Sequence, residues 1–299
     1  FLANNLPPGI VMHAPKVPPN LTQVPIVFEA ADNAPLTKSL VDLRVLHTSA
    51  NGKKIEGGFR QNLDLVYGPP NNRTYYVSTL DRLAVAATKK VPFSIKLLKP
   101  ETPIIQSGSM SLKVVAVRDA NFTAAINVRL LTRPPGIGAS SSINIAAGKT
   151  EANYPITANG GAGIGTWQIA MLAAAKTSHG EVLTSSELVD LVIEPPYLKV
   201  KINMSAIERG KEGEIICDLE QLRPFENEAT ISIFGLPAKV TSIPQKIDKN
   251  ATQVVFPITS EPTSRAGLSK TLFCSVKVPL GEHLLNHSVG QGGQLRMDN

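Results

Sequence analysis

An all-β chain of tandem two-sheet domains is predicted from three observations. The first is an internal duplication. Pro18-Pro19-Asn20-Leu21-Thr22-Gln23-Val24 recurs as Asp248-Lys249-Asn250-Ala251-Thr252-Gln253-Val254, with Ala146-Ala147-Gly148-Lys149-Thr150 in the same place between them. The second is what flanks each copy: a proline turn before it (Leu6-Pro7-Pro8-Gly9, Arg133-Pro134-Pro135-Gly136, Leu236-Pro237-Ala238) and an alternating apolar run after it. The third is composition: 23 Pro and 22 Gly among 299 residues with only 18% charged, a pattern of many short strands joined by turns. A repeat of roughly 100 residues is domain-sized, too long for a solenoid unit.

The elements follow in order from the two later copies. Each opens with a strand (Ser111 to Val117, Glu214 to Leu219), then a turn holding Phe122 or Phe225. A second strand (Ala125 to Leu131, Ala229 to Phe234) runs to the proline turn. A short strand follows (Ser142 to Ile145, Gln245 to Ile247), then the repeat turn and the alternating run. A long strand (Thr166 to Ala173, Thr271 to Val278) and a last one (Val182 to Ile193, Val289 to Met297) close the unit. Thr166 to Ala175 has helical residue preferences. Its repeat partner alternates at period two, so both are read as strands with Trp167, Ile169 and Met171 facing inward. This is the pattern of an immunoglobulin-like Greek-key β-sandwich.

Three domains result: 1–90, 91–195 and 196–299, separated by Lys89 to Pro92 and by Glu194-Pro195-Pro196-Tyr197. Such short proline linkers hold neighbours stiffly. The first domain is expected to lack its leading strands, and Phe1 is not a start residue, so the chain reads as the C-terminal part of a longer polypeptide. In that domain Ile26 to Phe28 and Ser39 to Leu46 match later strands, while Phe59 to Val66 and Thr79 to Ala87 are expected to form the closing hairpin. The stretch Gly68 to Tyr76 has no counterpart in the second or third copy; with Tyr67, Tyr75 and Tyr76 it is a candidate contact loop, the alternative being a hairpin that packs on a neighbouring domain.

Cys217 and Cys274 lie on the apolar faces of two strands expected in opposite sheets of the third domain. They are candidates for an inter-sheet disulfide; the alternative is two small buried thiols. Six Asn-x-Ser/Thr sequons, at Asn20, Asn72, Asn121, Asn203, Asn250 and Asn286, are possible glycosylation sites on an exported chain, or simply turn chemistry.

Signatures of catalysis fail one by one. Gly148-Lys149-Thr150 lacks the glycine that a phosphate-binding loop needs, since Ile143 stands there. Gly160 to Gly165 lacks dinucleotide-binding spacing. Of five histidines only His283 and His287 are close, in a stretch read as a hairpin. Glu56, Asp64, Asp81 and Glu101 are carboxylates with no spacing that pairs them. The net charge of +6 is scattered, its densest pairs being Lys53-Lys54 and Lys89-Lys90, so no nucleic-acid stripe is formed. No apolar run is long enough to span a membrane. Neither an enzyme, a cofactor nor a metal is expected.

At Gln61-Asn62-Leu63-Asp64-Leu65-Val66, Ser78-Thr79-Leu80-Asp81-Arg82-Leu83-Ala84-Val85 and the Pro-Pro-Gly turns, the chain resembles the C-terminal immunoglobulin-like repeats of large secreted or envelope proteins of planctomycete-type bacteria, which often carry pre-peptidase C-terminal domains as well. The resemblance implies export to the periplasm, cell surface or exterior and supplies no functional residues. The expected role is a structural or adhesive module whose partners are other domains of the same chain, neighbouring copies, other envelope proteins or polysaccharide. The alternatives are an accessory region of a secreted hydrolase or peptidase, and a carbohydrate-binding module using Tyr67, Tyr75, Tyr76 and Tyr197.

Overall fold

A computed structural model describes every residue except Pro19, Asn20 and His179. Among the described residues every regular element is a strand. The chain divides into two compact units, Phe1–Phe93 and Ser94–Asn299. The larger unit contains two sandwiches of matching topology, and so fixes the fold class as all-β with tandem immunoglobulin-like sandwiches.

In the smaller unit the strands are β1 (Leu2–Asn4), β2 (Ile10–His13), β3 (Val27–Ala30), β4 (Lys38–Thr48), β5 (Lys54–Gly58), β6 (Gln61–Gly68), β7 (Arg73–Leu80) and β8 (Leu83–Ala86). Strand β4 is central: β1 and β5 flank it, and β8 pairs with its first residues. Strands β2 and β3 form a separate ribbon, as do β6 and β7. The core of this unit is small, drawn from Ile10, Val27, Val41, Leu43 and Ala87.

The second sandwich uses β9 (Phe93–Leu97), β10 (Ile104–Ile105), β11 (Ser109–Arg118), β12 (Ile126–Leu130), β13 (Ile137–Ala139), β14 (Ile143–Ile145), β15 (Glu151–Ala158), β16 (Gly165–Ile169), β17 (Met171–Thr177), β18 (Gly180–Ser185) and β19 (Val189–Glu194). The third uses β20 (Leu198–Ile202), β21 (Ser205–Glu208), β22 (Glu212–Gln221), β23 (Ala229–Phe234), β24 (Val240–Ser242), β25 (Gln245–Ile247), β26 (Gln253–Ser260), β27 (Gly267–Leu280) and β28 (His283–Asp298). One sheet runs β13-β15-β11-β9 in the second and β24-β26-β22-β20 in the third, the same order. The other runs β21-β28-β27-β23-β25 in the third. In the second it is cut into β14-β12-β17-β18 and β10-β19-β16. A parallel pair, β10 with β19 and β21 with β28, marks the same edge in both. Inward residues of both sheets are fully buried, among them Ile126, Tyr154, Met171 and Leu191 in one and Ile215, Phe256, Val276 and Leu295 in the other. Alternation along each strand produces these two apolar layers.

The cut corrects two expectations. The Trp167 segment is not one strand: it leaves one ladder after Ile169 and joins the next at Met171, with Ala170 buried between. The last strand breaks beside it, where buried Ser186 donates its N–H to Met171 O and accepts the Met171 N–H on Oγ, both at 2.9 Å. A side chain thus replaces a ladder bond, which alternation alone does not signal. Ile169 and Met171 do face inward, whereas Trp167 is half-buried and donates Nε1–H to Gly163 O at 2.7 Å. Each later domain also carries two strands, β9 and β10 or β20 and β21, ahead of the first expected strand.

The proline turns close identically. Ile10 N–H bonds Pro7 O, Ile137 bonds Pro134 and Val240 bonds Pro237, at 3.0 to 3.1 Å. The residue before each donor is left-handed: Gly9 at φ 77°, Gly136 at 78° and Lys239 at 66°. A Cβ on Gly136 would sit 2.4 Å from Ala162 Cα, so that copy needs glycine for space as well as for dihedral.

Candidate interaction surface

The closing strand of the first copy is interrupted, and an arm leaves the sheet at the interruption. There β5 pairs with the end of β4 and β8 with its start, so together they form the closing strand. The predicted closing hairpin is therefore wrong. Residues from Phe59 onward leave the ladder, with Phe59 N–H still held by Leu43 O at 2.8 Å, and build the separate β6–β7 ribbon. The physical reason is pairing geometry: β8 and β5 already line one edge of β4 and β1 pairs on the other. Gly57 and Gly58 end β5 at this exit.

The ribbon carries apolar side chains that nothing within its unit covers. Tyr67, Tyr75 and Tyr76 are 68, 58 and 60% exposed, and Leu65, Val66 and Val77 are exposed beside them. Register shifts between Asp64 and Tyr67 rotate the outer half relative to the inner half. At the tip, Asn71 and Asn72 take left-handed φ values, and the Tyr75 hydroxyl donates to Pro69 O at 2.7 Å, bracing the turn. The structure therefore brings the three predicted tyrosines together with Asn72 on one projecting element.

The remaining candidate residues are dispersed. Cys217 and Cys274 are both buried and face one another across the third core, as alternation predicts. The two side chains meet as thiols across the core, and the hydrogen bond between them, with burial, pushes the Cys274 thiol far above its usual range. Asn72, Asn121 and Asn250 are exposed in turns, Asn203 and Asn286 are half-buried, and Asn20 lies outside the described residues. Asn286 sits within β28, where its side chain accepts a hydrogen bond from Ser275 at 2.8 Å. Glu56 pairs with Arg44, Glu101 pairs with His283 at 3.2 Å, and Asp64 lies on the ribbon, so these carboxylates do not form one site. Among the described residues no group of three His, Cys, Asp or Glu could hold a metal. No helix is long and apolar enough to cross a membrane. A shallow cleft in the larger unit is lined by neutral groups such as Ser107, Asn159, Asn286 and Gln291.

Strand order, register and the shared turn define the class: tandem immunoglobulin-like β-sandwiches. No family model matches the chain. No curated protein sequence matches it either. Among solved structures it is similar to a protein of unknown function from Porphyromonas gingivalis W83, at 10% identity and TM-score 0.27, over 69% of this chain and 100% of that one. It is also similar to the D0-D1 domain of intimin (13%, TM-score 0.23, 69% and 98%) and to fibronectin(III)-like modules of Clostridium thermocellum CbhA (11%, TM-score 0.22, 69% and 94%). Superpositions of that extent carry no argument, and the class rests on the topology.

Proposed function

We propose that the chain is a non-catalytic structural and adhesive module of a larger exported envelope or extracellular protein. The β6–β7 ribbon is its contact element. The observation that carries this reading is the exposure of Tyr67, Tyr75 and Tyr76 on one ribbon whose outer edges pair with no other strand among the described residues. Free strand edges next to exposed aromatics favour strand addition by a partner, with main-chain bonds giving affinity and the rings giving specificity. The preferred partner is a neighbouring copy, since a repeated module assembles by meeting itself. The matching order of sheets in the two later sandwiches supports a spacer role, and the dispersal of the ionisable groups supports the absence of catalysis.

Sedimentation velocity tests the assignment. The chain should show concentration-dependent association that a Tyr67→Ser, Tyr75→Ser, Tyr76→Ser triple variant lacks, while both retain the same circular dichroism. Equal association by the two proteins would remove the ribbon from this role.

A further inference from the structure

The second and third sandwiches meet at a joint whose centre is a buried imidazole. Gly108 and His287 form an antiparallel bridge, and Ser288 N–H donates to Ser107 O at 2.8 Å. A segment of the second sandwich therefore lies along the part of β28 that β21, paired only from Leu295 onward, leaves free. The approach is close enough that a Cβ on residue 108 would stand 2.4 Å from Asn286 O, so glycine is required there. Ile105, 1% exposed, belongs to the apolar cluster of the third sandwich although its strand belongs to the second.

His287 sits beneath this bridge. It is 0% exposed, its ring centroid is 6.1 Å from that of Tyr197 in the linker, and neither Nδ1 nor Nε2 has a hydrogen-bond partner. A neutral imidazole tolerates such a place at a modest cost, whereas an unpaired imidazolium does not.

We propose that His287 makes the joint a proton-controlled clamp. While the ring is neutral it stays under Tyr197 and the Ser107–Ser288 pairing is closed. Once protonated it leaves for water, the pairing opens, and the two sandwiches become free to reorient.

The surroundings offer the cation no compensation. The titratable groups of the same core are Tyr197, Cys217 and Cys274. From the linker side, Arg223 lies 4.5 Å over the Tyr197 ring and is paired with Glu194 at 2.7 Å. On β27, Lys277 is exposed in register with Asn286. On the second sandwich Glu101 is engaged by His283 at 3.2 Å. No carboxylate bonds the His287 ring, and burial lowers its pKa from 6.5 to about 4. An opened ring titrates at the ordinary value, so the opening constant rises by up to tenfold per pH unit between these limits, roughly 80-fold from pH 6.5 to pH 4.

Hydrogen exchange of the full chain, corrected for intrinsic rates, reads this directly. Between pH 6.5 and pH 4, amides of residues 104–109 and 283–290 should open roughly 80-fold more readily, while β23 and β26 stay protected. His287→Leu and His287→Phe should abolish the rise, and either folded variant suffices. Glu101→Gln should keep it. The proposal is overturned if the rise persists in a His287 variant, if it vanishes in Glu101→Gln, or if joint and core strands exchange together.

Discussion

Gly136 and Lys239 occupy the same left-handed position in two copies of one turn, so exchanging their characters should shift stability in opposite directions. In Gly136→Ala the new Cβ meets a φ of 78° and a backbone atom at 2.4 Å. The dihedral costs about 1 to 2 kcal/mol, and displacing backbone adds about 1 to 3, so a loss of about 3 kcal/mol is expected. Lys239→Gly relieves the dihedral strain but loses part of that gain to unfolded-chain entropy. It also gives up exposed contacts to Thr263 at 2.6 Å and Glu261 at 3.6 Å, worth a few tenths of a kcal/mol at most. The net is a stabilisation of about 0.5 kcal/mol. Urea unfolding measures both. The only tryptophan, Trp167, lies in the second sandwich and reports Gly136→Ala by fluorescence. With an m-value of about 2 kcal/mol per M, the midpoint should fall by about 1.5 M. Amide exchange in β24 and β26 reports Lys239→Gly. An unshifted midpoint for Gly136→Ala, or an equal loss for Lys239→Gly, would refute the reasoning that the two residues share one strained geometry.

Other outcomes follow from the same structure. Ile105→Ala should destabilise the third sandwich by about 2 to 5 kcal/mol although it lies in a strand of the second, read as faster exchange in β23 and β27. The folded pKa of His287, about 4, lies below the unfolded 6.5, so the unfolded chain takes up the proton first as pH falls. Stability of the third sandwich should hold above pH 6.5 and decline toward pH 4 by about 3 kcal/mol, and His287→Leu should flatten that profile in urea titrations at each pH. Cys217 and Cys274 should resist alkylation in the native protein and react once unfolded, because both are buried from reagent and the hydrogen bond from Cys217, with burial, disfavours the Cys274 thiolate. Protein recovered from an oxidising compartment should carry them bridged, which non-reducing mass spectrometry reads as a mass two hydrogens lower; free thiols there would remove the bridge from the account.

Much of the fold was legible because repetition compensated for weak local signals. The Thr166 to Ala175 stretch has helix-forming residues, and only comparison with Thr271 to Val278 made it a strand. Inward thiols at Cys217 and Cys274 followed from alternation alone. What escaped was set by pairing between distant segments. The break at Ala170 depends on a Ser186 side chain replacing a ladder bond, and β10 and β21 are too short to show any period. In the first copy, alternation in Phe59 to Val66 identified a strand but not its partner, because a strand in a ribbon and one closing a sheet look alike in sequence. The tyrosines were conspicuous as a cluster, yet their exposure came from the exit of the chain after Gly58. His287 gave no sign at all, since a polar residue on an alternating strand is normally assigned to the solvent face.

The central claim is that the larger unit is one sandwich design used twice. Pulling the chain between its ends by single-molecule force spectroscopy tests it most directly. Two separate rupture events are expected from the second and third sandwiches, each releasing about 100 residues, or about 35 nm at roughly 3.4 Å per residue. One cooperative event of about twice that length, or extension without resolved ruptures, would contradict it.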